Sequence, residues 1–323
     1  MYYPYFRGRQ NELLCLREML EQNKLSDKII PIVEPVRCNN TFFSTLETFI
    51  KNDRTIVIIQ NPEVGRYHQE FQTMLKTADK AEDEKSRKKA EEQIKKNLEI
   101  LKDRHLIPAY LMGGKVVNDI LAGDINKENV ILINKGKENY NHYVQYGEKI
   151  CGKITIIPND MDFKDELAGD AVVLEDAFNK AKRNADYSDC VDEFFSKNHI
   201  TYKKRGYQGF ADYSVVGDVY EESGFSPLAI AIHIVYFDEK KMLQIHHFVS
   251  DTNEKSADLP RKFEEAMEKL QSWELLGRIK MTAGLSGLFS YYRNGRFPGL
   301  GLIKKYSLMH HMELMSDYLG ENA

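Results

Sequence analysis

Three carboxylates close apolar runs in this sequence and are its best candidates for chemistry. Glu34 ends IIPIVEP (29–35), Asp176 ends AVVLED (171–176), and Asp212 lies in GYQGFADYS (206–214). Carboxylates brought to one mouth can act as acid and base, or hold Mg²⁺ through oxygen ligands. Asp and Asn at such positions also cap helices and form turns. The same run ends supply Asn61, Lys135 beside Asn134, Asn159 with Asp160, and Tyr213. Two basic, aromatic, glycine-containing segments add cations: YKKRGYQG (202–209) and YYRNGRFPGLGLIKK (291–305). In the second, Arg293 and Arg296 have the forked donors that clamp phosphate.

Histidines and linear motifs add little. His246–His247 and His310–His311 are adjacent pairs, and neighbours on a strand or helix diverge too far to chelate one metal together. No HExxH, HxxxH or HxH spacing occurs, so neither a zinc hydrolase nor a structural zinc site is expected. His233 sits inside an apolar run and can face either way, with a structural role as the default. The chain has no GxSxG elbow, no GxxxxGK[ST] loop and no GxGxxG turn, which disfavours serine nucleophiles, a P-loop for ATP and NAD binding.

The elements that must carry these residues are eight apolar runs: 29–35, 55–62, 106–114, 129–135, 154–160, 171–176, 206–214 and 227–237. Most are continuously apolar and rich in Ile and Val, the pattern of strands buried on both faces. Helical sequence follows them, which implies βαβ units, and eight such units close a TIM-type (β/α)8 barrel. Active sites of that fold lie at the C-terminal strand ends, which is why those ends define the candidate list. An open doubly wound sheet is the alternative, but the first run is followed by VRCNN rather than a Gly-rich turn. A helix from Asn11 to about Gln22 precedes the first run. Residues 66–104 form a charged helical insertion after the second, either one helix of roughly 55–60 Å or a pair. They solvate the surface through i,i+4 charge pairs, or they form an arm that docks a partner protein. KKMLQIHHFVSD (240–251) reads as an extra strand pairing with 227–237 through a turn at 238–241. A helix follows from Leu259, capped by Asp258, and runs to near Gly284; the rest of 258–323 begins as a Gly-rich loop and ends helical.

Bulk properties fit one domain over 1–323, with 1–27 as an N-terminal strand/helix cap. With 42% hydrophobic residues the chain can bury a large core, and its net charge of −4 argues against binding polyanions through the whole surface. The four cysteines are scattered, as in a reducing cytoplasm, and no apolar run reaches the length of a membrane span.

The opening PYFRGRQNELLCL followed by IIPIVEP resembles the beta protein family of phages and bacterial mobile elements. GFADYSVVGD with PLAIAIHIVYF, and the late RNGRFPG…HHM segment, are similar to further motifs of that family. The likeness spans most of the chain, while the charged stretch at 76–104 looks like an elaboration. The resemblance implies a barrel-like fold and a phage-defence or mobile-element setting. It marks Glu12, Glu34, Asp212, Tyr213 and His311 as motif positions without roles.

Three functions follow. The first is a binding or regulatory protein of such a system, with protein or nucleic-acid partners, using Tyr213, His311, Lys135, Arg293 and Arg296. The second is an enzyme acting on a phosphorylated or nucleic-acid substrate, with Glu34, Asp176 and Asp212 as acid, base or Mg²⁺ ligands and Arg293 and Arg296 clamping phosphate. The third is a non-catalytic barrel scaffold.

Overall fold

The computed structural model describes residues 1–167, 170–222 and 226–321. Its strands in chain order are β1 (Tyr2–Phe6), β2 (Ile32–Val33), β3 (Ile56–Ile59), β4 (Leu106–Leu111), β5 (Ile131–Ile133), β6 (Ile154–Pro158), β7 (Asp170–Glu175), β8 (Asp192–Ser196), β9 (Gly209–Asp212), β10 (Ala231–Phe237) and β11 (Leu243–Val249). The chain forms two compact units. The first comprises Met1–Leu20, Ile29–Glu175 and Tyr202–Ala211; the second comprises Glu21–Lys28, Asp176–Thr201 and the chain from Asp212 onward.

The first unit carries a closed barrel in the order β1-β2-β3-β4-β5-β6-β7-β9. Neighbouring strands from β1 to β7 pair in parallel, with helices between them as in a TIM-type (β/α)8 fold. β3 reads IVII and all four residues are buried, because side chains fill the barrel on one face and helices cover the other. The count of eight strands is as expected, but one member differs. The run 227–237 lies outside the barrel, and Tyr2–Phe6 takes the eighth place. All five of its residues are buried. The Phe210 amide donates to the Met1 carbonyl at 3.1 Å, and the Tyr2 and Phe210 rings stack at 4.8 Å. A strand built from Tyr, Pro and Phe has the burial of its aliphatic neighbours without their composition. The helix after it, α1 (Gln10–Glu21), is therefore a regular member of the barrel repeat.

α2 (Asn40–Lys51) follows β2. The charged insertion is a pair of helices, α3 (Tyr67–Leu75) and α4 (Glu84–Ile100), joined by a short 3₁₀ turn at 78–80. Asp83 starts the second by accepting from the Ser86 amide at 2.8 Å. α3 buries no residue, and α4 buries only Asn97 and Ile100. Lys88–Glu84 pairs along α4 at 2.9 Å, and Lys96 reaches Glu47 of α2 at 2.5 Å. α5 (Gly114–Ala122), α6 (Tyr140–Tyr146) and the short α7 (Met161–Asp165) complete the described helices of this unit.

The second unit is built on a three-stranded sheet in the order β10-β11-β8. The expected hairpin is present. β10 and β11 are antiparallel around a turn at 238–241, and His233 lies directly opposite His247. A tight hairpin cannot join parallel neighbours, so this run has no place in the barrel. Ile232, Ile234 and Phe248 enter a core with Phe263, Met267 and Leu270 of α9 (Leu259–Ser272) and Leu285 and Leu288 of α10 (Ala283–Arg293). α9 has Asp258 as its cap, as expected, but ends at Ser272 rather than near Gly284. Residues 286–293 are helical, not loop, because Thr282 caps a new helix there by accepting from the Leu285 amide. α11 (Leu300–Glu321) is buried along most of its length, and its buried residues include the polar Lys305, Ser307, His310, His311, Glu313 and Ser316 beside Leu308, Met309 and Met312. The short α8 (Asn198–Thr201) follows β8.

α10 meets α11 through two glycines. A Cβ on Gly284 would lie 2.2 Å from the Tyr306 carbonyl oxygen, and one on Gly287 would lie 2.3 Å from the Tyr306 ring. Gly284→Ala is therefore expected to force the helices apart and to cost about 1–3 kcal/mol, the usual range for overpacking. Urea unfolding should show a lower midpoint; an unchanged midpoint would mean that the helices adjust freely.

No helix among the described residues is long and apolar enough to cross a membrane.

Candidate binding cavity

Glu34 follows β2, Asp176 follows β7 and Asp212 closes β9. Glu34 is fully buried. It accepts from the Tyr5 hydroxyl at 2.7 Å and the Glu63 amide at 2.8 Å, and it pairs with Arg7. Nearby Glu12 accepts from the Arg7 amide at 2.6 Å and so holds the chain that carries Arg7. Asp176 accepts from the amides of Phe178 at 3.2 Å and Asp218 at 3.0 Å. Burial raises its pKa, and the charge of Asp218 adds to that while the amides oppose it. Asp212 is buried and accepts from the Ser214 amide at 2.8 Å, a turn-forming bond. Among the described residues, no group of three or more His, Cys, Asp or Glu is placed to hold a metal ion.

The other candidates are also accounted for. Lys135 pairs with Glu63. Tyr213 is buried. His311 is fully buried, with Nδ1 2.7 Å from the Ser214 hydroxyl and its ring edge-on to Phe195 at 5.3 Å. Arg293 and Arg296 are exposed, and the Arg293 guanidinium lies 5.6 Å from the Phe289 ring centre. Arg293 borders a small pocket of about 340 Å³.

A larger cavity, about 920 Å³, opens in the second unit. Lys180, Lys182 and Arg183 line it from the segment after β7, His233 from β10, and Lys304 with Ser307 from α11. Its lining side chains include four cations and the carboxylate Glu221. Lys180 pairs with Glu221 at 3.1 Å, and Arg183 makes a two-point contact with Asp186 at 2.9 and 2.6 Å. Val219, Leu228 and Leu300 also border the cavity, each at least 40% exposed. Large apolar residues left this open beside cations suit a ligand with an apolar part and an anionic part.

Behind the cavity wall runs a chain of polar groups. His233 Nδ1 lies 2.7 Å from His247 Nδ1, and His247 Nε2 lies 3.0 Å from Glu193 Oε1. The second Glu193 oxygen accepts from the Asn179 side-chain amide at 2.6 Å. The partners assign the tautomers. A carboxylate only accepts, so His247 donates from Nε2 and must accept at Nδ1. His233 therefore donates from Nδ1 and keeps a lone pair on Nε2. The Phe178 and Tyr187 rings stand edge-on to His233 at 5.0 and 4.7 Å. Burial holds the His233 pKa well below the ordinary value, and the nearby charges of His247 and Lys304 act in the same direction. Burial also lowers that of His247, with Glu193 opposing. Both rings are thus neutral near pH 7.

Sequence reading placed His233 on a strand but gave it no partner. Part of the signal was in the expected hairpin: a turn at 238–241 alone sets 233 against 246, and the extra residue Met242 between the strands moves the partner to 247. Glu193 and the Lys180–Arg183 cations carried no linear signal, since they come from an irregular segment and a short edge strand. No protein-family model, no curated protein and no solved structure matches the chain.

Proposed function

We propose that this chain is a binding protein whose second unit takes a phosphate-bearing ligand of nucleotide size, either free or as a unit of a nucleic acid. The observation that carries the reading is the gathering of Lys180, Lys182, Arg183 and Lys304 around a cavity of about 920 Å³ in a chain of net charge −4. That volume lies at the upper end of the usual range for small-molecule sites, roughly 300–1,000 Å³. The cations supply charge-assisted bonds to phosphate oxygens, and Val219, Leu228 and Leu300 supply an apolar bed for a ring. That the binding serves a phage-defence or mobile-element system, within a cytoplasm, is the part of the proposal that rests on the sequence resemblance and composition alone. A protein partner at 66–104 belongs to it too, supported by the absence of buried residues in α3.

Calorimetric titration with a mononucleotide and its unphosphorylated nucleoside tests the reading. The nucleotide should bind at least tenfold more tightly, with affinity falling as salt rises. Lys182→Glu with Lys304→Glu should weaken it about 100-fold, since hydrogen bonds to charged groups contribute roughly 1.5–3 kcal/mol each. Equal affinity for nucleotide and nucleoside, or an unaffected double variant, would refute it.

A further inference from the structure

The cavity contains more than a phosphate site requires. Binding phosphate calls for donors, and the lysines and Arg183 that line the cavity carry them. His233 instead brings an acceptor to the wall, and its other nitrogen is tied through His247 to Glu193. We propose that His233 is a general base, and that the cavity cleaves a phosphodiester that carries a neighbouring hydroxyl, as in RNA. The proposal rests on the reading that the cavity takes phosphate.

The order Glu193, His247, His233 fixes which nitrogen is free. Glu193 sits one ring removed from His233, behind His247, so the imidazole that accepts the proton is oriented through a second ring tied to a carboxylate. A neighbouring hydroxyl suits a site with one base. It is covalently held beside phosphorus, so the protein need not position a separate nucleophile. The cations around the cavity oppose the charge that develops on the phosphoryl oxygens.

In the step, the ribose 2′-oxygen forms a bond to phosphorus while the bond from phosphorus to the 5′-oxygen breaks. The 2′-hydroxyl proton passes to His233 Nε2. The leaving 5′-oxygen takes a proton from water at the open side of the cavity, and the hydroxide left behind is neutralised when His233 releases its proton. The products are a 2′,3′-cyclic phosphate end and a 5′-hydroxyl end, with no change of oxidation state. His233 is the catalytic residue; His247 and Glu193 position it. The groups facing His233 are Lys304, His247, Phe178 and Tyr187, with Glu193 behind His247.

The test incubates the full chain, in EDTA, with a short ribo-oligonucleotide and with its all-deoxy counterpart. Binding is read by fluorescence anisotropy and ends by mass spectrometry. Both oligonucleotides should bind, and only the ribo form should be cut, giving cyclic-phosphate ends. His233→Gln should lower the rate by about 100-fold or more, the usual share of a general base, with binding held within about threefold. Glu193→Gln keeps an acceptor for His247 but not the charge. It should slow cleavage about tenfold and move the pH profile, which a purely structural role would not do. If His233→Gln does not fold, the ribo/deoxy contrast and Glu193→Gln decide. Binding without cleavage by the wild type would overturn this inference and leave the binding function standing. Cleavage by His233→Gln at the wild-type rate would also overturn it. Failure of both oligonucleotides to bind would overturn this inference together with the nucleic-acid arm of the binding function, and free nucleotide binding would then be judged by its own titration.

Discussion

Glu34→Ala lowers the stability of the barrel unit by about 3–5 kcal/mol, the range seen when one partner of a buried ion pair is removed. The magnitude follows from what surrounds the carboxylate. Glu34 is fully buried, and its partner Arg7 is 6% exposed in its side chain. Removal takes the counterion from the guanidinium and the acceptor from both the Tyr5 hydroxyl and the Glu63 amide. Buried groups left without such partners pay for their desolvation in full. Replacing both members of the pair, Arg7→Met with Glu34→Leu, should recover most of the loss, because the charge that needs compensation goes with its partner. Chemical unfolding of the three variants measures this. A Glu34→Ala protein as stable as the wild type would show that the carboxylate is not structural, and would reopen the barrel mouth as a place for chemistry.

Acid should destabilise the second unit well before ordinary carboxylates titrate. His310 is enclosed, donating from Nε2 to the Val235 carbonyl at 2.7 Å and accepting at Nδ1 from the Thr282 hydroxyl at 2.9 Å. Burial pushes its pKa down to about 4, and that of His311 down to about 3, where the neighbouring His310 and His199 add to the effect of burial. Both values lie below the ordinary histidine pKa of about 6.5, so the unfolded chain binds protons that the fold excludes. The stability these two neutral rings contribute is therefore complete above pH 6.5. It is lost as pH falls from there through about 4 and then 3. From pH 7 to pH 5 each should cost on the order of 2 kcal/mol, at 1.36 kcal/mol per pKa unit between pH 6.5 and 5. Urea melts at the two pH values measure the loss. A double variant with Gln at 310 and 311 should show a flatter profile. Equal stability at pH 7 and pH 5 would contradict the burial of these rings.

Much of the barrel was legible because its aliphatic strands announce themselves. TIVIIQNP and ITIIPND read as doubly buried strands and are so. Tyr2–Phe6 reads as part of an N-terminal strand/helix cap rather than as a barrel strand, because its aromatic residues lack the aliphatic pattern of the other runs. PLAIAIHIVYF reads as a barrel strand because composition reports burial, not pairing direction. Only the hairpin turn after it carried that information. Sequence places carboxylates at the run ends but cannot say whether each faces a ligand, an arginine or a backbone amide. Glu34 meets an arginine, a tyrosine and an amide, and Asp212 meets an amide of its own turn. The candidate cavity depends on side chains far apart in sequence, Lys180 to Lys304, and such a convergence leaves no linear pattern.

The most direct test of the central claim, that the cavity of the second unit is the ligand site, is a nucleotide titration followed by NMR of the histidine rings. The ring carbon-bound protons of His233 should shift in a saturable manner, and those of His310 and His311, enclosed and engaged elsewhere, should stay in place. Saturable binding that leaves His233 unmoved, or that instead perturbs only the Arg293–Arg296 loop, would contradict it.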